Sequence, residues 1–186
     1  MKKTVIALVG EIGSGKGTIA SYLNKKYKFK ILKFSTPIRE ILNRLYLPVS
    51  RLNMQKLSTY LRKIFGQEII SWIITQDIKK INSQTIVIDG PRRLEDITYL
   101  KKDFNFYLIA IKTKKKIRYQ RIIARQENPD EKNKTWEEFQ KESRQESERK
   151  IRSLMKEASF FVDNNQNLKE TYQQVDEIIK KILKKN

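Results

Sequence analysis

Residues 10 to 18 read Gly10-Glu11-Ile12-Gly13-Ser14-Gly15-Lys16-Gly17-Thr18. An apolar run, Val5-Ile6-Ala7-Leu8-Val9, leads into this stretch, and Ile19, Ala20 and Leu23 follow it at helical spacing. Strand, glycine-rich loop and helix form the context in which such a loop binds phosphate. The glycines at 10, 13, 15 and 17, with Ser14 among them, let the backbone curl tightly and leave N–H groups free for anionic oxygens. The helix N-terminus beneath adds its dipole and unpaired donors. In this pattern a lysine reaches the β- and γ-phosphates, here Lys16, and a hydroxyl just after it meets Mg²⁺. The strict form is G-x-x-x-x-G-K-[ST]. Gly10, Gly15 and Lys16 fit it, but position 17 is Gly and the hydroxyl arrives at Thr18.

The composition narrows the chemistry. A chain of 186 residues suits one domain, residues 1–186, with length for a real core. It contains no cysteine and no histidine. Disulfides, Cys-based zinc sites, His ligation and His general-base catalysis are therefore excluded, and a hard ion bound through oxygens, such as Mg²⁺, is expected. Without an apolar stretch of roughly 18 residues, no transmembrane helix is expected. The run at Val5–Val9 passes straight into the loop and does not read as a signal peptide, so a cytoplasmic location is expected. The net charge of +19 has two readings. One is attraction to polyanions such as nucleic acid. The other is compositional drift, since lysine decorates nearly every expected surface.

Short apolar, β-branched or aromatic runs read as strands at Thr4–Val9, Phe29–Phe34, Thr85–Asp89, Phe106–Ile111 and Ser159–Val162. Helical spacing fills about 16–26, 37–46, 52–81, 93–102, 114–126, 135–157 and 167–184. Alternating strand and helix argues an α/β sheet covered on both faces. Asn128-Pro129-Asp130 with Lys132-Asn133-Lys134 reads as a polar break, and Thr135 with Glu138 as a capping box. The stripe Leu168, Tyr172, Val175, Ile178, Ile179 and Leu183 reads as a core-facing helix edge.

Ligands in such sheets bind beyond the strand C-termini. The polar residues there are the phosphate loop, then Ser35-Thr36 with Arg39, then Asp89-Gly90-Pro91-Arg92-Arg93, then the basic helix with Arg118, Arg121 and Arg125. Phosphoryl transfer calls for cations and oriented N–H groups around a spread negative charge. Asp89 is the candidate to hold Mg²⁺ opposite Thr18. Arg92 and Arg93 are candidates to grip a phosphate bidentately. Arg121 and Arg125, four apart on one helical face, repel each other unless an anion sits between them.

Together these elements resemble adenylate kinase-like nucleoside monophosphate kinases, which are P-loop proteins. Gly10 to Thr18 matches their G-x-x-G-x-G-K-G-T loop. Asp89-Gly90-Pro91-Arg92 is similar to their Asp-Gly-Phe-Pro-Arg element, one residue shorter. Ser35-Thr36 with Arg39 is similar to their acceptor-phosphate segment, and Arg121-Ile122-Ile123-Ala124-Arg125 to the arginines leading into their lid. The resemblance implies a five-stranded parallel sheet in the order 2-3-1-4-5 with helices on both faces, a helical acceptor region at 35–82 and a short lid-like segment at 126–142. It also implies that Arg121 lies against the donor adenine, that Arg125 meets phosphate, and that Arg144 matches a later lid arginine. The stretch Phe160-Phe161-Val162-Asp163-Asn164-Asn165 and the final helix resemble dephospho-coenzyme A kinases instead.

The function expected is an ATP- and Mg²⁺-dependent small-molecule kinase. Lys16, Asp89, Arg92 and Arg125 are its candidate catalytic residues, and Arg39, Arg92, Arg93 and Arg144 its acceptor-binding ones. The acceptor is a nucleoside or deoxynucleoside monophosphate, with dephospho-coenzyme A as the alternative. Tyr46, Met54, Tyr60, Phe65, Gln67, Trp72 and Gln55 are candidates for base preference. The other class is an RNA-associated NTPase switch, which the charge supports.

Overall fold

The structure, a computed structural model, describes residues 2–125 and 134–184. In chain order it runs β1 (Thr4–Val9), α1 (Lys16–Tyr27), β2 (Lys30–Lys33), α2 (Thr36–Arg44), α3 (Arg51–Phe65), α4 (Ile69–Lys80) and β3 (Thr85–Asp89). A 3-10 turn (Leu94–Ile97) leads into α5 (Thr98–Asp103), then β4 (Asn105–Lys112), α6 (Lys115–Arg125), α7 (Trp136–Ser143), α8 (Glu146–Lys156), β5 (Phe160–Asp163) and α9 (Leu168–Lys184). The strands form one parallel sheet in the order β2-β3-β1-β4-β5. This is the expected α/β architecture. Among the described residues no helix is long and apolar enough to cross a membrane.

Every residue of β1 is buried, because strand side chains alternate between two covered faces. Val5, Ala7 and Val9 point to one face, where they join Ile38 and Leu42 of α2, Ile74 and Ile78 of α4, and Ile151 and Leu154 of α8. Ile6 and Leu8 point to the other, against Ile19 and Leu23 of α1 and Val175 and Ile179 of α9. Each such aliphatic side chain contributes about 1.5–3 kcal/mol on burial. Two dry faces hold β1 at the sheet centre, and its C-terminal end carries the glycine-rich loop.

The helices depart from expectation in four places. The single helix expected over 52–81 is two, α3 and α4, broken at Gly66 with φ 96. Apolar periodicity continues across that glycine, but its left-handed backbone ends the helix. The segment 135–157 is also two helices, parted at Arg144 and Gln145 with no glycine or proline to signal it. The stretch 93–102 opens as the 3-10 turn. In α9 the buried face runs through Thr171, Val175, Ile178, Ile179 and Ile182, while Leu168 and Leu183 are exposed. The capping box forms as read: the Glu138 N–H donates to Thr135 Oγ1 at 3.2 Å and the Thr135 N–H to Glu138 Oε2 at 2.8 Å. Residues 126–133, with most of the polar break and part of the lid-like segment, lie outside the described residues.

Candidate functional site

The loop between β1 and α1 is tied down on several sides. Gly13 and Gly15 have φ 77 and 95, which disfavour any side chain. A Cβ on Gly13 would also lie 2.7 Å from the Arg118 carbonyl oxygen, so α6 presses directly on the loop. Asn164 Nδ2 donates to the Ser14 carbonyl at 2.8 Å, and Thr113 Oγ1 to the same oxygen at 3.1 Å. The Asn164 carbonyl oxygen accepts from Arg121 Nη2 at 3.1 Å, and its side-chain oxygen accepts from Thr171 Oγ1 at 2.9 Å. The asparagine-rich turn after β5 thus locks the loop to α6 and α9.

Lys16 Nζ donates to the carbonyl oxygens of Gly10, at 2.7 Å, and Glu11, at 3.3 Å. Burial pushes its ammonium down to about 8. Asp89 opposes that shift and Arg92 reinforces it, Glu148 opposes and Arg125 reinforces. The structure therefore brings Lys16, Asp89, Arg92 and Arg125 into one electrostatic neighbourhood. Sequence reasoning missed Glu148 as a member. Thr18 opens α1 exposed to solvent, and Gly17 beside it faces open space, with no heavy atom within 4 Å of where a Cβ would stand.

The loop after β3 is held from below by a buried ion pair. Arg62 Nη2 of α3 donates to Asp96 Oδ1 at 2.7 Å, and both side chains are nearly inaccessible. Asp96 Oδ2 accepts from the Arg92 N–H at 2.7 Å, and Arg62 Nη1 bonds the Gln67 carbonyl. Breaking one partner of such a pair costs about 3–5 kcal/mol. The pair therefore fixes the backbone that carries Arg92 and Arg93. The Arg92 side chain is exposed and Arg93 partly so. Arg39 is exposed, with its Nε donating to Ser35 Oγ at 3.3 Å.

Ser14 Oγ and Arg121 Nη1 are buried on the loop side without a partner among the described residues. Burial pulls the Arg121 guanidinium below its usual value. An unpaired buried guanidinium nitrogen beside a glycine-rich loop suits an anionic nucleotide, so the residues fit that ligand. For a metal ion the oxygens at hand are the Thr18 hydroxyl and the Asp89 carboxylate. Among the described residues no group of three or more acidic, His or Cys residues could hold a metal. A sparse oxygen set fits Mg²⁺, which keeps several waters and takes its other oxygens from phosphate.

A family model described as an AAA domain matches residues 9–140. The chain belongs to this family. The AAA domain match begins at the last residue of β1 and spans the loop, α1 to α4 and the loop after β3. Among similar proteins, a "UPF0200 protein" of Staphylothermus marinus is 27% identical over all of this chain and 96% of its own length. Another, of Methanococcus maripaludis, is 26% identical over 98% of this chain and 99% of its own. Among solved structures, shikimate kinase from Bacteroides thetaiotaomicron superposes with a TM-score of 0.63 at 13% identity, covering 94% of this chain and 96% of that one. TT1252 from Thermus thermophilus gives 0.61 at 16% identity, over 97% and 98%. The AAA domain here has a P-loop, kinase-like fold, and that fold implies a bound nucleotide.

Besides Glu11, which the sequence offers with Asp89 as a carboxylate for a hydroxyl acceptor, Arg152 of this AAA domain protein stands at the site without having been singled out in the sequence. Glu11 Oε1 accepts from Arg118 Nη2 at 3.2 Å and from Arg152 Nη1 at 3.0 Å. Arg152 also donates to the Ser143 carbonyl at 3.1 Å. So α6 and α8 both grip the phosphate loop through one carboxylate. Arg144 is exposed at the C-terminus of α7, where it shares a surface depression with Glu137, Gln140 and Lys141. Of the candidates for base preference, Met54 packs partly against the core, while Tyr46, Tyr60, Phe65 and Trp72 are exposed. Helical periodicity could not reveal Arg152, because its reach to Glu11 depends on where α8 lies across the sheet.

Proposed function

We propose that the protein is an ATP- and Mg²⁺-dependent phosphotransferase that moves the γ-phosphoryl group of ATP to a phosphate-bearing nucleotide. What supports this reading is a glycine-rich loop after a buried central strand whose Lys16 feels the charges of Asp89, Arg92 and Arg125. Such a transfer needs little covalent chemistry from the protein; it needs positioning and preorganised charge. Gly10, Gly13, Ser14, Gly15, Lys16, Gly17 and Thr18 hold the donor phosphates, with Arg121 beside them. Thr18 and Asp89 hold Mg²⁺, which neutralises charge on the phosphate oxygens when bound. Arg39, Arg92 and Arg93 hold the acceptor, and Arg125 closes over the group in transit. The acceptor role is assigned to residues 35–82 and the lid role to 126–142, of which 126–133 lie outside the described residues, with Arg144 after it in the chain.

Two acceptor chemistries suit a nucleotide held by its own phosphate. In one that phosphate is the nucleophile, as the resemblance to nucleoside monophosphate kinases implies. In the other a hydroxyl of the same molecule is, as in dephospho-coenzyme A kinases. Glu148, a buried carboxylate on α8, favours the second.

Arg92→Ala tests the assignment of sides. It is expected to raise the acceptor KM about tenfold and lower kcat, with ATP affinity nearly unchanged. Loss of ATP affinity alone would put Arg92 on the donor side and overturn the acceptor site as drawn.

A further inference from the structure

Glu148 is a buried carboxylate with nothing obvious to do. It lies in the first turn of α8, 6% exposed, and its Oε2 is buried without a hydrogen-bond partner among the described residues. A helix-capping role does not need burial. Leaving a carboxylate oxygen dry and unpaired costs on the order of 1–3 kcal/mol or more. Helix α8 leads into the parallel strand β5 and packs on β1, so its first turn stands at the C-terminal end of the sheet, the end that carries the glycine-rich loop, and Lys16 and Arg118 are the electrostatic neighbours of Glu148. Helix α8 packs on β1 and on the 3-10 turn, on the face it shares with α2 and α4. Arg93 lies within electrostatic range of Glu146, two residues before Glu148. Glu148 therefore approaches Lys16 from the side that carries the acceptor elements.

The other carboxylates of the centre are engaged. Glu11 is shared by two arginines. Asp89 has interactions of its own, and with Thr18 it is assigned above to the metal. Among the described residues, Glu148 alone offers a buried open carboxylate oxygen. A dianionic phosphate acceptor has no proton to give that oxygen and is repelled by it. A hydroxyl donates to it, and a site built to accept from a hydroxyl rejects acceptors that lack one.

We propose that Glu148 is a catalytic residue that takes the proton of a reacting hydroxyl, and that the acceptor is a nucleotide phosphorylated on that hydroxyl while its own phosphate is gripped by the arginines. The inference rests on the phosphotransferase reading above. The hydroxyl oxygen forms a bond to the γ-phosphorus as the bond from that phosphorus to the β–γ bridging oxygen breaks. ADP leaves with the electron pair, and the hydroxyl proton passes to Glu148 Oε2 and on to solvent.

The test takes the whole chain with ATP, Mg²⁺ and a panel of acceptors: ribo- and deoxynucleoside monophosphates, and dephospho-coenzyme A with its 3′-deoxy analogue. Phosphorus NMR of the product reads the new linkage. A phosphate ester on a sugar hydroxyl is expected. A phosphoanhydride would overturn the inference and leave the phosphotransferase reading standing, whereas no transfer to any acceptor would overturn both. Glu148→Gln is expected to lower kcat with the hydroxyl acceptor by about 10²-fold or more and to raise the KM for that acceptor by up to about tenfold, and Glu148→Asp to recover part of the lost kcat. Calorimetry without ATP gives a second reading. The wild-type protein is expected to bind the hydroxyl acceptor about tenfold more tightly than its deoxy analogue, and Glu148→Gln to erase that difference. An unchanged kcat in a folded Glu148→Gln protein would overturn the proposal, as would equal binding of the two ligands by the wild type.

Discussion

Lys16 makes two hydrogen bonds to loop carbonyls, at Gly10 and Glu11, while burial opposes its charge. Burial outweighs the favourable contacts in the free protein, since it holds the ammonium down to about 8, so the charge adds no net stability there. Lys16→Ala is therefore expected to abolish turnover, by about 10²-fold or more, while thermal melting shifts by only a few degrees. An unfolded variant, or one with full turnover, would contradict the role given to Lys16. Most residues of this neighbourhood were legible in the sequence for one reason. Asp89 ends β3, Arg92 lies in the loop after it and Lys16 opens the helix after β1, and a parallel sheet places these strand ends together. Glu148 and Arg152 lie well inside the chain's last third, on a helix between the lid-like segment and β5. Their spacing on α8 reads as an ordinary charged helix. Only the packing of α8 against β1 turns them toward the loop.

Among the elements, α1 and α9 are clamped through one carboxylate. Asp176 accepts from Tyr22 at 2.9 Å, from Tyr27 at 2.8 Å and from Lys26 at 2.6 Å, and Tyr22 stacks on Tyr172 with ring centroids 3.9 Å apart. Burial alone would raise the Asp176 carboxyl, but bonds from Lys26, Tyr27 and Tyr22 outweigh it and hold it below the usual carboxylate value. Burial first and the hydrogen bond to Asp176 second push the Tyr27 hydroxyl up to about 12. A carboxyl depressed in the folded state adds stability above its unfolded value, and that stability is lost as pH falls through the folded value. Asp176→Ala is thus expected to cost about 1–3 kcal/mol at neutral pH, with the gap from wild type closing below about pH 4. Denaturation curves at pH 7 and pH 3 check it; an equal gap at both would refute the clamp. The strands matched their expected positions closely because alternating burial on two covered faces leaves long apolar runs. The helices on the acceptor side did not. Apolar spacing runs on through Gly66, and its break depends on a φ of 96 that a residue name only permits. The break at Arg144 and Gln145 carries no glycine or proline; on its two sides Phe139 packs with Tyr119 and Trp136 while Ile151 joins the core under α2 and α4.

Across the whole molecule the sheet order, the dry β1 and the loop at its end belong to a P-loop, kinase-like fold, and the chain belongs to the AAA domain family. The net charge of +19 keeps the RNA-associated reading open to test. Binding to RNA through phosphate contacts falls steeply with salt, whereas turnover of small nucleotides falls mildly. The fold class was legible because strand-helix alternation and one loop determine it. The acceptor was not, since it depends on which side chains of the α2–α4 region meet a ligand, and Tyr46, Tyr60, Phe65 and Trp72 all stand exposed there. The most direct measurement is ADP release with ATP and Mg²⁺ against the nucleotide panel and RNA, at low and moderate salt, with Lys16→Ala as the control. The account predicts fast release with one or a few small nucleotides, mild salt dependence and none from the control. Release stimulated by RNA alone and lost with salt, or no release with any small nucleotide, would contradict it.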